Sequence, residues 1–171
     1  MKRPDEALYA DLIDKLRAVE EKTGQTVLTV SSDLADLPSL DELDQRYPTC
    51  VVFDDVILEG EALQARIGEY YVRGRKCNVT CFYLAQRYFA LSTTIRSNSD
   101  VHVFKRLKRR DLAKVMDEFS GELTREELLA LYDSSGAAHD RTKWFLIDTS
   151  DDQPAALRYR HNWVPVCPSQ E

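Results

Sequence analysis

Two apolar, strand-like runs separated by a helix-like segment constrain the fold of this chain most strongly. Residues 50–56 read CVVFDDV and residues 77–86 read CNVTCFYLAQ. Between them, Leu63, Ile67 and Tyr70 recur at helical spacing over residues 59–73. Apolar strands alternating with helices are typical of a mostly parallel sheet covered by helices. The second run is apolar almost throughout, which predicts a long strand buried on both faces.

The rest of the chain continues this α/β alternation. Further helix-like runs are residues 5–22, 110–119 and 124–133. Further strand-like runs are residues 26–31, 101–104, 144–148 and 156–163. The pairs Ser39 with Glu42 and Thr124 with Glu127 have the spacing of capping boxes, and residues 134–143 read as a surface loop. We expect one α/β domain over residues 1–164, followed by a tail at 165–171.

Composition limits the partners and the compartment of the protein. The chain has 171 residues and a formal net charge of −6, so it has no overall attraction to nucleic acid. Apolar runs fall short of the roughly 20 residues of a membrane span, and the N-terminal residues lack the apolar core of a secretory signal. An intracellular location is therefore expected.

Any contact with DNA must come from a local basic patch. One group of five cations falls within six positions: Lys105, Arg106, Lys108, Arg109 and Arg110. A second group lies upstream: Arg73, Arg75 and Lys76. Such a group either contacts phosphates or is a solvated basic face at a helix start, and the charges alone favour the second reading.

The cysteines indicate neither a disulfide framework nor a metal site. The four cysteines are Cys50, Cys77, Cys81 and Cys167, which are few and scattered. The three histidines show no paired spacing for zinc. We therefore expect buried thiols.

Two carboxylates mark a candidate site. Asp54 and Asp55 directly follow the apolar run at 50–53, and ligands of open α/β sheets bind at the carboxyl ends of the strands. Acids placed there hold Mg²⁺ and orient water against a nucleotide phosphate, although many strands also end in Asp for reasons of turn formation. Gln86, at the end of the next strand-like run, is a candidate sensor of the γ-phosphate or starts a loop.

Arginines near strand boundaries are further candidates. Arg73, Arg75 and Arg96 are expected at the same sheet edge, and ring ATPases use an arginine from a neighbouring subunit to stabilise transition-state charge. The segment from Gly68 to Lys76 resembles a phosphate-binding loop only superficially. Its spacing is one residue too long, and it precedes a strand instead of following one.

Several motifs in order support a family resemblance. TCVVFDDVI, EYYVRGRKCNVTCFYLAQRYFAL and TTIRSNSDVHVFKRLKRRDL together resemble the packaging ATPases of poxviruses and giant DNA viruses, within the FtsK–HerA superfamily of P-loop ATPases. DEALYADL, EELLALYD, WFLIDT and RYRHNW also fit, so the resemblance covers nearly the whole chain. It implies a truncated P-loop NTPase core of the RecA/FtsK type.

The resemblance implies roles for the candidate residues. Asp54 would be the Walker B acid that holds Mg²⁺ through water, Asp55 the acid that activates the attacking water, and Gln86 the sensor. Arg73, Arg75 or Arg96 would act in a neighbouring subunit. The cofactors would be ATP and Mg²⁺. The partners would be double-stranded DNA, other copies of the chain in a ring, and capsid or portal proteins, in the host cytoplasm, a viral factory or the virion.

One departure from the family leaves alternatives open. Family members carry a strand, a phosphate loop and a helix ahead of the DEALYADL segment, and none of the six glycines here fits GxxxxGK[ST]. We expect an ATPase module that is incomplete in this chain, so whether the chain itself is an enzyme is left open. The alternatives are a truncated subunit that binds partners or DNA without ATP turnover, and, more weakly, a metal-dependent nuclease built around Asp54 and Asp55.

Overall fold

The strands of the chain lie in two separate sheets. The computed structural model describes residues 7–121 and 123–166. The chain divides into two compact units, Met1–Asn98 and Ser99–Glu171. In the described residues, the first unit has a two-stranded parallel sheet and the second a four-stranded antiparallel sheet. The predicted α/β class is confirmed, whereas a mostly parallel sheet is not.

The first unit is built around a strand–helix–strand arrangement. Its helices are α1 (Ala7–Thr23), α2 (Glu61–Arg73) and α3 (Thr93–Ser97), and its strands are β1 (Thr49–Asp54) and β2 (Val79–Leu84). Single 3₁₀ turns lie at Leu34–Asp36, Leu40–Glu42, Gly74–Cys77 and Tyr88–Ala90. The Glu42 side chain accepts a hydrogen bond from the Ser39 amide at 2.7 Å, as in a capping box. This capping box starts a single 3₁₀ turn and not a longer helix.

Helix α2 covers one face of the parallel pair. The strands pair in register from Thr49 opposite Val79 to Asp54 opposite Leu84. Phe53 of β1 packs edge-on against Tyr70 of α2, with ring centroids 5.9 Å apart. Ile67 is completely buried in the same core. The apolar positions of α2 recognised in the sequence therefore face the sheet, as their spacing predicts.

The opposite face of the pair is exposed. Val52, Phe82 and Leu84 share that face by strand alternation, and about half of the Phe82 side chain (52%) is accessible to solvent. The expectation of a long strand over residues 77–86, buried on both faces, is therefore wrong. An apolar run shows that a strand is favourable, but it does not show how many of its faces are covered.

Residues 26–31 form no strand. The amides of Val27 and Leu28 donate hydrogen bonds to Glu20 Oε1 of helix α1, at 2.8 and 3.0 Å. These two bonds, of which the one from Leu28 has the larger effect, hold the pKa of Glu20 below its ordinary value. The predicted strand is wrong because a carboxylate takes up amide donors that a neighbouring strand would otherwise use.

The second unit is an antiparallel meander with two helices on one face. Its strands are β3 (Val101–Phe104), β4 (Phe145–Asp148), β5 (Tyr159–His161) and β6 (Val164–Pro165), and its helices are α4 (Arg109–Phe119) and α5 (Arg125–Ser134). All four residues of β4 are buried. Tyr132 of α5 packs edge-on against Phe145, and Phe119 of α4 against Phe104. This helical face forms the core of the unit.

Most of the predicted elements of the second unit are confirmed. The capping box of α5 is present, since the Thr124 amide donates to Glu127 Oε2 at 2.7 Å and the Glu127 amide donates to Thr124 Oγ1 at 3.3 Å. The predicted tail is wrong at Pro165, which pairs with Arg160 in β6. Residues 167–171 of that tail lie outside the described residues. No helix among the described residues is long and apolar enough to cross a membrane.

The three described cysteines differ in exposure. Cys77 is buried, and burial raises the pKa of the half-buried Cys81 thiol to about 11. Cys50 is exposed on the uncovered face of β1, so the expectation of a buried thiol is wrong for this residue. Cys167 lies outside the described residues.

Brief alkylation at pH 8 should modify Cys50 well before Cys81. A thiol with a pKa of about 11 is only roughly 0.1% thiolate at pH 8, and the thiolate is the species that reacts. We expect at least about tenfold slower labelling of Cys81, measured by peptide mass spectrometry. Labelling in urea, where both thiols are accessible, is the control. Equal rates in the folded protein would contradict the arrangement of β1 and β2.

Candidate functional site

The structure brings the predicted acids and the predicted glutamine to one edge of the parallel sheet. Asp54 lies opposite Leu84, and the Asp55 amide donates a hydrogen bond to the Leu84 carbonyl at 3.2 Å. Gln86 is exposed and follows Leu84 by two residues, a span of at most about 7 Å. Asp54, Asp55 and Gln86 therefore gather at the carboxyl edge, where ligands of open α/β sheets bind.

The backbone leaves the strand abruptly at the second acid. Asp55 has a φ of 50°, in the left-handed region, which Asp tolerates better than most residues. The chain turns here, so Asp55 does not continue the alternation of β1. Asp54 is half-buried on the strand and Asp55 is exposed. Sparsely populated backbone conformations are frequent at ligand sites, which makes this edge a candidate by an observation independent of the motif.

The sequence did not single out Tyr83, Glu59 and Gln64, which lie near one another and, through Tyr83, near Asp55. Tyr83 of β2 lies close to Asp55 and Glu59, and its hydroxyl lies beside the Gln64 side chain. Gln64 Nε2 in turn donates to the Val56 carbonyl at 2.6 Å. The pairing of β1 with β2 and the packing of α2 together bring these residues close, so no local pattern in the sequence could have identified them.

The environment of Tyr83 keeps its hydroxyl protonated. Burial is the largest cause that raises the pKa of Tyr83, the nearby Gln64 side chain acts in the opposite direction, and the negative charges of Asp55 and Glu59 raise the pKa further. A neutral phenol beside two carboxylates can donate a hydrogen bond to an anion or to a water molecule.

Arg96 is held by aromatic rings close to the same edge. Its guanidinium lies 5.4 Å from the ring centroid of Tyr88 and 5.1 Å from that of Phe89. Both rings belong to the 3₁₀ turn that follows Gln86. Arg96 itself lies on α3, which Ser92 caps by accepting a hydrogen bond from the Ile95 amide. The cation–π contacts fix the direction of this arginine.

Arg73 and Arg75 lie at the opposite edge of the sheet. Helix α2 carries the chain back toward the start of β2, and Arg73 is in its last turn. Arg73 forms ion pairs with Asp41 at 3.3 Å and Glu69 at 3.1 Å, and the hydrogen bond with Glu69 is the main cause that raises its pKa. The expectation that Arg73 and Arg75 lie at the edge of Asp54 is therefore wrong, because the crossover helix returns to the amino edge. A role in a neighbouring subunit remains a prediction.

The five-cation group lies in the second unit. It follows β3 and runs into the first turn of α4, and all five side chains are exposed: Lys105, Arg106, Lys108, Arg109 and Arg110. The segment from Gly68 to Lys76 lies within α2 and the 3₁₀ turn after it. That segment therefore has no strand–loop–helix geometry for holding phosphates, as the spacing indicates.

The carboxylates at the carboxyl edge fit Mg²⁺ only as part of a site that water and substrate phosphates complete. Among the described residues, no group of three or more His, Cys, Asp or Glu side chains could hold a metal ion. Mg²⁺ commonly keeps several waters and is bound by one or two carboxylates together with substrate phosphates. Asp54 can supply such a carboxylate, and the phosphates of a bound substrate would supply further ligands.

Comparisons with known proteins add no family. No protein-family model, curated protein or solved structure matches the chain. A functional proposal therefore depends on the geometry of the carboxyl edge and on the motif resemblance.

The ionisation of Tyr83 should report on Asp55. Tyrosinate absorbance titrated in the unmodified chain and in Tyr83→Phe gives, by difference, a midpoint above the ordinary tyrosine pKa of about 10. Asp55→Asn should lower that midpoint, because one negative charge that disfavours the phenolate is removed. Asp44→Asn is the matched control and should leave it unchanged. A midpoint that Asp55→Asn leaves unchanged would show that the side chains of Tyr83 and Asp55 are not close.

Proposed function

We propose that this chain is the ATPase module of a motor that moves double-stranded DNA, of the kind that packages viral genomes. The observation that carries the proposal is the gathering of Asp54, Asp55 and Gln86 at the carboxyl edge of β1 and β2. The ordered motifs that resemble viral packaging ATPases supply the choice of DNA as the substrate. The P-loop type of core belongs to the same proposal.

Each residue of the edge has a role in this proposal. Asp54, half-buried at the strand end, holds Mg²⁺ through water, and Mg²⁺ when bound neutralises charge on the phosphates. Asp55, exposed and turned out of the strand, orients the attacking water and accepts its proton. Gln86 contacts the γ-phosphate or the same water. Arg96, Arg73 or Arg75 stabilises the transition state in a neighbouring subunit.

The phosphate cradle comes from elsewhere in this proposal. None of the six glycines lies in a GxxxxGK[ST] sequence, so the 171 residues do not supply the loop amides and lysine that hold a triphosphate. The proposal therefore includes a strand–phosphate-loop–helix segment acting with this module. Assembly into a ring, capsid or portal partners, and an intracellular or virion location are further parts of it.

Hydrolysis by a reconstituted protein tests the proposal. A strand–phosphate-loop–helix segment of a viral packaging ATPase is joined ahead of residue 1, and ATP turnover is measured with and without DNA. We expect DNA-stimulated hydrolysis that Asp55→Asn lowers by about 10²–10⁴-fold, since a positioned general base contributes that much. Asp54→Ala should remove the dependence of turnover on Mg²⁺ together with most of the activity.

The control variant is Asp152→Asn, which removes an exposed carboxylate of the second unit and should leave turnover unchanged. Full activity in Asp55→Asn would overturn the role of that residue. No hydrolysis in any form, combined with binding of the chain to other subunits in sizing experiments, would favour a non-catalytic subunit instead.

A further inference from the structure

Residues 105–110, called the basic turn below, carry positive charge that the protein does not neutralise. The turn holds Lys105, Arg106, Lys108, Arg109 and Arg110, all exposed. In the described part of the chain, none of these five side chains forms an ion pair, although Asp140 lies near Lys105. By contrast, Arg73, Arg125 and Arg160 are each paired with a carboxylate. Unpaired cations are thus concentrated here in a chain of net charge −6.

The first turn of α4 adds to this concentration. Helix α4 begins at Arg109, and Arg110 follows in the same turn. The helix dipole disfavours cations at this end, and the N-cap residue Lys108 provides no side-chain hydrogen bond. Asp111 is the acid of that turn and offsets one charge only. The local field around the basic turn is therefore strongly positive.

A buried tyrosine fixes the backbone of the basic turn. The Tyr132 side chain of α5 is 1% exposed, and its hydroxyl donates to the Lys105 carbonyl at 3.0 Å. The same hydroxyl accepts a hydrogen bond from the Leu107 amide at 3.0 Å. The two bonds hold the turn in one conformation before any ligand binds, which lowers the entropy lost on binding. Arg106, Leu107, Lys108 and Arg109 line a surface groove of about 470 Å³ beside it.

We infer that the basic turn binds the phosphodiester backbone of double-stranded DNA and that Tyr132 is its positioning residue. The choice of DNA rests on the proposed function, whereas the surface itself follows from the charges and from the Tyr132 contacts. The turn contains no aromatic side chain on which unpaired bases could stack. The guanidinium groups of arginine and the ammonium groups of lysine form charge-assisted hydrogen bonds with phosphate oxygens. Binding is therefore independent of base sequence and sensitive to salt.

Anisotropy of a labelled DNA duplex, titrated with the purified chain without ATP over a series of salt concentrations, tests this inference. The test variant carries Arg106→Gln, Arg109→Gln and Arg110→Gln. Its affinity should fall at least about tenfold near 0.1 M salt, and the slope of log K against log salt should decrease in magnitude by about 2–3, because each phosphate contact contributes about 0.9.

A matched variant carries Lys15→Gln, Arg46→Gln and Arg125→Gln, which changes the net charge equally. Each of these cations is exposed and paired with its own carboxylate, Asp11, Asp44 and Asp117 respectively. Its DNA affinity should stay within about twofold of the unmodified chain, because paired surface cations release few counterions.

Tyr132→Phe tests the positioning role of Tyr132 without changing any charge of the basic turn. The ring stays in the core while both hydrogen bonds to the turn are lost, so we expect about threefold weaker binding with an unchanged salt slope. Tyr47→Phe, at an exposed tyrosine of the first unit, is the control and should bind normally. Both tryptophans of the chain, Trp144 and Trp163, lie in the second unit, so their fluorescence verifies that this unit remains folded.

Three outcomes would overturn the inference. The first is an equal loss of affinity in both charge variants, and the second is full affinity in the basic-turn variant. The third is that the chain binds no duplex while an acidic peptide binds the basic turn. Because this assay contains no ATP, its failure leaves the hydrolysis proposal standing. Conversely, failure of hydrolysis alongside salt-dependent duplex binding overturns only the proposed ATPase.

Discussion

The parallel pairing of β1 with β2 is the constraint on which the candidate site depends. Its register places Asp54 opposite Leu84 and lets the Asp55 amide reach the Leu84 carbonyl, so both strands end at the same level. A slip of one residue would move Phe53 off the α2 face, where it packs against Tyr70. The buried Phe53–Tyr70 contact thus fixes the register, and the register fixes which polar residues meet at the edge.

Local patterns were enough to predict the elements that local chemistry specifies. β3 has the predicted bounds, and the capping box of Thr124 and Glu127 starts α5 where expected. Features set by side-chain contacts outside the periodic pattern were not predictable in this way: Glu20 takes the amides of Val27 and Leu28, and one face of β2 is uncovered. Strand patterns also do not encode direction, so they do not specify the antiparallel pairing of the second unit.

The candidate site was predicted in part, for a physical reason. Asp54, Asp55 and Gln86 were found because each follows an apolar strand, whereas Tyr83 and Gln64 required knowledge of the packing. The positions of Arg73 and Arg75 could have been deduced correctly. A 13-residue helix rises about 20 Å, enough to carry the chain across the sheet to its amino edge. The contrast between a paired Arg73 and unpaired cations at residues 105–110 likewise appears only in the folded protein.

The most direct test is to locate a bound metal–nucleotide complex on the reconstituted protein. The sample contains Mn²⁺ in place of Mg²⁺, together with a non-hydrolysable ATP analogue. The paramagnetic broadening of backbone amide signals is then mapped by NMR. The account predicts broadening centred on Asp54, Asp55 and Gln86, and its loss in Asp54→Ala. Broadening centred on another part of the chain, or an unchanged pattern in Asp54→Ala, would contradict the assignment of this edge as the ATPase site.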